Sequence, residues 1–190
     1  MLLGKIAFFV LLVAQIVIRY PYREGMKRTN MDSQEKGLLF VLTVGGLILP
    51  LVYICTPWLA FADYNPPSWL PILGIIIMIV GLYTFWRAHA DLGRNWSNSL
   101  DIHEAHKLVT GGVYQRVRHP MYSASWLMYL GQALFLSNWI AGLGGVIGFA
   151  LLYFLRVSKE EDMMLHEFGD QYRQYMTTTG RIIPRRSPTQ

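Results

Sequence analysis

The chain has 190 residues, of which 53% are hydrophobic and only 15% are charged, with a net charge of +5. Because soluble domains contain about 25% charged residues, this composition argues against a soluble domain and indicates a membrane protein. The single cysteine, Cys55, excludes an intramolecular disulfide and a CxxC metal site.

Four segments with few or no charged residues follow one another along the chain: residues 1–18, 37–62, 69–86 and 120–155. A helix needs about 20 apolar residues to cross a hydrocarbon core about 30 Å thick. The fourth segment has 36 residues, and a single helix of that length would measure about 54 Å. It therefore predicts two short spans joined by a turn at Ser137 and Asn138.

We predict an all-α integral membrane protein with one domain, residues 1–190, and five transmembrane helices, of which the last two form a tight hairpin. The predicted spans cover about residues 2–19, 37–60, 69–88, 121–136 and 139–156. Four glycines after the turn are expected to let the two arms of the hairpin pack closely, namely Gly142, Gly144, Gly145 and Gly148. A cleaved signal peptide is an alternative for the first segment, although no small-x-small cleavage site follows it.

Positive charges are distributed unevenly between the predicted loops. With five spans, 16 of the 17 Lys and Arg residues fall on one side, and only Lys5 falls on the other. Cytoplasmic loops carry such an excess, so we expect the N-terminus outside and the C-terminus in the cytoplasm. The same asymmetry explains the positive net charge without a nucleic-acid partner.

Two polar segments flank the predicted hairpin, residues 91–122 and residues 156–184. The tight turn would bring both to one membrane surface, so we expect a shared site on the cytoplasmic side, built from the loop at residues 91–120 and the C-terminal helix.

The first polar segment ends in "RHPMY", where His119 precedes a proline that suits the first turn of a helix. His119 would then lie near the positive end of the helix dipole. Alternatively, Arg118 and His119 face lipid headgroups and Tyr122 joins an interfacial aromatic belt. The adjacent glycines Gly111 and Gly112 allow either an ordinary tight turn or a close approach of backbone to a ligand.

In the second polar segment, Arg156 follows the last apolar residue of the fifth predicted span, and Glu160 lies four positions further on. If the helix continues, both side chains project from one face. A surface ion pair would be worth only about 0.2–0.5 kcal/mol, whereas an arginine at hydrocarbon depth is costly unless it faces a polar cavity. We therefore favour a site role. His103 and His106 are three apart, but no third ligand cluster accompanies them, so we expect no metal site.

The ordered series "HKLVTGGVYQRVRHPMY", an apolar hairpin, "RVSKEE" and "FGDQYRQY" resembles the isoprenylcysteine carboxyl methyltransferases, as a compact prokaryotic member. The resemblance covers about residues 87–184, whereas the first three spans match in character only. It implies an integral membrane enzyme that uses S-adenosylmethionine to methylate the C-terminal carboxylate of an isoprenylated cysteine, with S-adenosylhomocysteine as the second product.

The resemblance also implies roles for particular residues. Arg156 would contact the substrate as the catalytic residue. The cofactor would be bound by His106, Lys107, Leu108, Val109, Tyr114, His119, Pro120, Met121, Tyr122 and Glu160, with Asp101 as a further position that aligns only across a gap. The prenylated or lipid-like substrate would enter from the bilayer.

Three alternatives remain open from the sequence. Small membrane methyltransferases of the same broad kind act on phospholipid amines, which would have no use for Arg156 as a carboxylate clamp. Membrane sterol reductases resemble the C-terminal half, but the chain has no dinucleotide-binding fingerprint. A membrane scaffold without enzymatic activity would bind no S-adenosylmethionine.

Overall fold

The structure is a computed structural model, and it describes residues 2–22, 32–93 and 108–185. Five long helices occupy most of these residues: α1 (Leu2–Arg19), α2 (Ser33–Cys55), α3 (Trp69–Leu92), α4 (Pro120–Phe135) and α5 (Trp139–Thr178). The described residues contain no strand beyond two isolated bridges. The prediction of an all-α chain is confirmed for this part of the molecule.

Four of the five helices are long and apolar enough to cross a membrane, and α4 is not among them. With 16 residues, α4 measures about 24 Å, which is shorter than a hydrocarbon core of about 30 Å. The fifth membrane span therefore stays a prediction. α5 has 40 residues and continues far beyond residue 156, because no helix-breaking residue interrupts it before a kink at Gly169, where φ is 50°.

Large apolar side chains cover the outside of the helices. α1 exposes Leu2, Val10 and Val17 by more than 60%, and Phe40 on α2 and Phe154 on α5 are equally exposed. Soluble monomers rarely expose contiguous apolar surface on this scale. The outer surface is therefore suited to contact lipid acyl chains.

Glycines of α5 contact two different helices. Gly142 packs against the backbone of α4, but Gly144 lies against Gly45 of α2, and Gly148 also faces α2. A Cβ atom on Gly45 would lie 2.5 Å from the carbonyl carbon of Gly144. The prediction that these glycines serve the α4–α5 contact is wrong for Gly144 and Gly148, because α5 packs between α2 and α4.

The connection between α4 and α5 is held by Asn138, whose side chain is fully buried. Its carbonyl oxygen accepts a hydrogen bond from the Ala141 N–H at 3.0 Å and caps α5. Its amide group donates to the Leu59 carbonyl and to the Asp63 carboxylate, each at 2.7 Å. Ser137 adopts a φ of 54°, which reverses the chain direction within three residues.

At the opposite end of the bundle, α1 and α3 finish, α2 and α4 begin, and α5 passes Arg156. We call this the polar end. Tyr22 stacks against His89 at 4.9 Å between ring centroids, and His89 is only 1% exposed. The segment after α1 therefore covers His89 at the end of α3.

Candidate active site

His119 lies at the polar end, at the start of α4. Pro120 occupies the first turn of this helix, and the His119 side chain does not cap it. Instead, the imidazole lies between two consecutive carboxylates of α5. Its Nδ1 is 3.6 Å from Glu160 Oε2, and its Nε2 is 3.3 Å from Glu161 Oε1. The histidine of "RHPMY" is thus part of a polar cluster.

Glu161 also binds the side chains of two arginines. Oε1 accepts hydrogen bonds from Arg118 at 3.2 Å through Nε and at 2.8 Å through Nη2. Oε2 accepts one from Arg181, and this bond raises the pKa of Arg181 above its ordinary value. Arg118 also donates to the carbonyl of Thr179. The side chains of Arg118 and Glu161 are 8% and 5% exposed, so neither faces lipid headgroups.

The backbone at the start of α4 is joined to the last described segment. The Arg118 N–H donates to the Gly180 carbonyl at 2.8 Å, and the His119 N–H donates to the Arg181 carbonyl at 2.9 Å. The residues after α5 therefore pack directly beside His119.

Arg156 lies next to this cluster on α5. Its Nε donates to Glu160 Oε1 at 2.9 Å, so the helical continuation that places the two side chains on one face is confirmed. Its Nη1 is 3.8 Å from Glu35 Oε1 of α2. The Arg156 side chain is 11% exposed. The guanidinium is thus held between Glu160, one turn further along the same helix, and Glu35, which belongs to a distant segment of the sequence.

Tyr114 packs between α3 and the last turns of α5. Its hydroxyl donates to the Ala88 carbonyl at 3.4 Å, and its own carbonyl accepts a hydrogen bond from the Tyr175 hydroxyl. Burial raises the pKa of the Tyr114 phenol. Tyr172 is likewise only 1% exposed, so the aromatic face of this part of α5 packs against the protein core.

The double-glycine turn is explained by packing. Gly112 has a φ of 62°, and a Cβ atom there would lie 2.5 Å from the Asp91 carboxyl carbon. The Asp91 carboxylate accepts from the Val113 N–H at 2.9 Å and from Arg87 at 2.8 Å. Gly112 is therefore required by the contact between this turn and α3.

The structure brings together four of the residues that the resemblance implicates: Arg156, Glu160, His119 and Tyr122. Tyr122 is buried, so an interfacial position for it is wrong. Among the described residues its hydroxyl makes no hydrogen bond of ordinary geometry, but Glu160 is close enough to interact with it. A buried hydroxyl beside a carboxylate fits a site that receives a polar ligand.

The other predicted cofactor residues lie further from this cluster or outside the described residues. Met121 packs against the apolar core that α1, α3 and α4 share. Leu108 and Val109 are half-buried in the segment that leads to Tyr114. Asp101, His106 and Lys107 lie outside the described residues, so their roles stay predictions.

Sequence reasoning assigned no place in the site to four charged residues at this end of the molecule. Arg118 adjoins His119 in "RHP", and Glu161 adjoins Glu160 in "EE". Adjacency to a predicted site residue was the signal that could have identified them. Glu35 begins α2 in the capping pattern Asp32-x-x-Glu35, where Asp32 accepts from the Glu35 N–H at 2.6 Å. That pattern indicates a helix start but not the approach to Arg156. Arg181 carried no local signal.

Three comparisons place this chain among known proteins. Residues 69–171 match the family model PEMT, described as phospholipid methyltransferase. The chain is 32% identical over 154 residues to protein-S-isoprenylcysteine O-methyltransferase B of Arabidopsis thaliana, covering 80% of this chain and 75% of that protein. It is 27% identical over 126 residues to protein-S-isoprenylcysteine O-methyltransferase of Xenopus laevis, covering 65% of this chain but 44% of the relative.

A solved structure has a similar fold. It is a eukaryotic intramembrane Ras methyltransferase, isoprenylcysteine carboxyl methyltransferase, which superposes with a TM-score of 0.58 at 22% identity. The match covers 93% of this chain and 62% of the solved one. At this identity the likeness concerns the fold, and this chain spans less than two thirds of the solved protein.

Proposed function

The chain belongs to the isoprenylcysteine carboxyl methyltransferase family, and from this premise we propose that it methylates the C-terminal carboxylate of an isoprenylated cysteine with S-adenosylmethionine. The observation that carries the proposal is the position of Arg156 at the end of the apolar part of α5, where its Nε donates a hydrogen bond to Glu160. A carboxylate of the protein, that of Glu35, already lies 3.8 Å from Nη1. The Arg156 guanidinium therefore already faces carboxylate oxygens, which is the chemistry that a substrate carboxylate would supply.

The reaction does not require a general base. A C-terminal carboxyl group has a pKa of about 3.3–3.7, so it is an anionic nucleophile at pH 7. When bound, S-adenosylmethionine supplies an electrophilic methyl group; the S–CH₃ bond breaks, an O–CH₃ bond forms, and the electron pair remains on sulfur. The task of the protein is to align the reacting atoms and to exclude water. Arg156 would hold and orient the carboxylate through its forked donors.

The residues around His119 fit a cationic cofactor. Glu160 places negative charge beside His119, and the buried Tyr122 hydroxyl lies near the same carboxylate. We propose that these three residues and Pro120 bind S-adenosylmethionine. Tyr114, Met121, Leu108, Val109, His106, Lys107 and, more weakly, Asp101 join the proposed set through the family motif.

The proposed topology has five spans with the N-terminus outside and the polar end in the cytoplasm. Supporting this orientation, Arg118, Arg156 and Arg181 gather at the polar end, whereas Lys5 contacts the Tyr53 ring near the other end. Prenyl chains would remain in the bilayer while the cysteine carboxylate reaches Arg156.

A phospholipid amine is the second candidate for the methyl acceptor. The match to the family model described as phospholipid methyltransferase favours it. Glu35 and Glu160 also place two carboxylates beside Arg156, and such a pair could attract an ammonium group. The two acceptors differ in their products, because only a carboxylate yields a methyl ester.

A methylation assay separates the two candidates. Purified protein receives labelled S-adenosylmethionine and either a farnesylated cysteine analogue or phosphatidylethanolamine in vesicles. The proposal expects base-labile label on the farnesylated cysteine. Base-stable label on the phospholipid, without any methyl ester, would instead establish the phospholipid amine as the methyl acceptor.

Variants of Arg156 test the carboxylate clamp. Lysine retains the charge but loses the bidentate fork, so Arg156→Lys should retain cofactor binding and lose about tenfold to a hundredfold in kcat/KM, as expected for a charge-assisted contact worth about 1.5–3 kcal/mol. Arg156→Ala should lose more. Arg173→Lys on the same helix is the matched control, because Arg173 is 74% exposed. An Arg156→Ala protein that methylates prenylcysteine at the normal rate would remove the clamp from the mechanism.

A further inference from the structure

We propose that Glu161 is a positioning residue of the cofactor site, which holds the His119 imidazole through Nε2 and thereby sets the edge of the ring that faces Glu160. The inference rests on the proposed function only in so far as His119 and Glu160 are assigned to the cofactor site. Glu161 ends the stretch "RVSKEE" that carries part of the family resemblance, but within that stretch the resemblance was used to assign a role only to Arg156 and Glu160.

Glu161 is buried and contacts three cationic or potentially cationic side chains, unlike a residue in a single exposed ion pair. Its carboxylate is buried, with a residue exposure of 3%. Arg118 reaches Oε1 through two nitrogens, Arg181 reaches Oε2, and His119 Nε2 lies 3.3 Å from Oε1. Two arginines therefore fix the carboxylate from behind, and the imidazole lies against the atom that they hold.

The orientation of His119 depends on this contact. The ring does not cap α4, and its stacking on Tyr122 is loose, with centroids 5.6 Å apart. A carboxylate accepts hydrogen bonds only, so contact with Glu161 requires a proton on Nε2. The opposite nitrogen, Nδ1, is then directed to Glu160, which is 3.6 Å away. Loss of Glu161 would free the ring to rotate without removing any group that touches the cofactor.

A purely structural role is the alternative, because Glu161 also joins α5 to the start of α4 and to Arg181. The two roles differ in what a double-mutant cycle with His119 measures. If Glu161 acts through His119, its replacement has no further effect on cofactor affinity once His119 is absent. If Glu161 only stabilises the fold, its effect is the same in both backgrounds.

The experiment measures equilibrium binding of S-adenosylhomocysteine to purified protein in nanodiscs. We expect Glu161→Gln to weaken binding about tenfold in the wild-type background and less than twofold in a His119→Ala background. The KM for S-adenosylmethionine should rise, whereas the KM for farnesylated cysteine should not change. Glu167→Gln, at an exposed position of the same helix, should leave all values unchanged.

Equal weakening by Glu161→Gln in both backgrounds, or unchanged affinity in the wild-type background, would overturn the inference. If Glu161→Gln does not fold, because Arg118 loses its counter-charge, Glu161→Asp replaces it. Aspartate keeps the charge but withdraws the carboxylate from His119 by one methylene group, so the same dependence on His119 is required of it. Wild-type protein that binds no S-adenosylhomocysteine would instead refute the proposed function.

Discussion

Replacement of Gly45 by alanine tests the packing of α2 against α5. Ordinary contacts between carbon atoms are about 3.5–4.0 Å long, but a Cβ atom on Gly45 would lie 2.5 Å from the carbonyl carbon and 3.3 Å from the Cα of Gly144. Both are backbone atoms and cannot turn aside. The two helices would therefore have to separate by about 1 Å, and overpacking of this kind costs about 1–3 kcal/mol.

The assay is thermal unfolding in nanodiscs, followed by intrinsic fluorescence. A loss of 1 kcal/mol lowers the Tm of a domain of this size by about 2–4 °C, so Gly45→Ala should lower Tm by roughly 2–12 °C. Gly37→Ala is the matched control on the same helix, because no atom lies within 4 Å of its added Cβ. Alanine is the better helix former by about 0.5–1 kcal/mol, so this variant should raise Tm slightly.

The result that would refute the reasoning is a Gly45→Ala protein as stable as the Gly37→Ala protein. It would mean that α2 and α5 do not approach as closely as described. A drop in Tm for both variants would point instead to a general intolerance of α2 to substitution.

Two further predictions concern the opposite end of the bundle and the topology. Asn138→Asp keeps the oxygen that caps α5 but loses both amide donor hydrogens and places a second carboxylate beside Asp63. The loss of about 2–3 kcal/mol should lower Tm by about 4–12 °C. An unchanged Tm would contradict the hydrogen bonds described for this turn. Cysteines introduced at Asn65 and Asn98, in a background without Cys55, should be labelled from opposite sides of the membrane, and labelling of both from one side would refute the proposed topology.

The lengths of the apolar segments and the distribution of charge allowed much of the fold to be predicted. Uninterrupted apolar segments located the helices, and α4 ends and α5 begins on either side of Ser137 and Asn138, where a turn was predicted. It was harder to predict which helices pack against each other, because a glycine indicates a close approach but not the helix that approaches. Gly144 was therefore assigned to the contact with α4 instead of the contact with α2. The neighbour of a helix depends on the whole bundle, and no local pattern encodes it.

The site was predicted to a similar extent. The motif identified His119, Arg156 and Glu160, which the structure places side by side. It did not indicate Glu35 or Arg181, because they reach the cluster from distant segments. Their placement follows from the packing of α2 on α5 and from the course of the chain after the kink at Gly169.

The contact between the start of α4 and the last described residues has a consequence for biosynthesis. The Ser123 hydroxyl donates to the Ile182 carbonyl across 59 residues of sequence, and the Arg118 N–H waits for the Gly180 carbonyl. Ribosomes add about 5–20 residues per second, so about 3–12 s separate the synthesis of these partners. During that interval the apolar helices can already enter the membrane, while the segment that packs beside His119 has not yet been synthesised. The proposed cofactor site would therefore be completed only after all five helices have been synthesised.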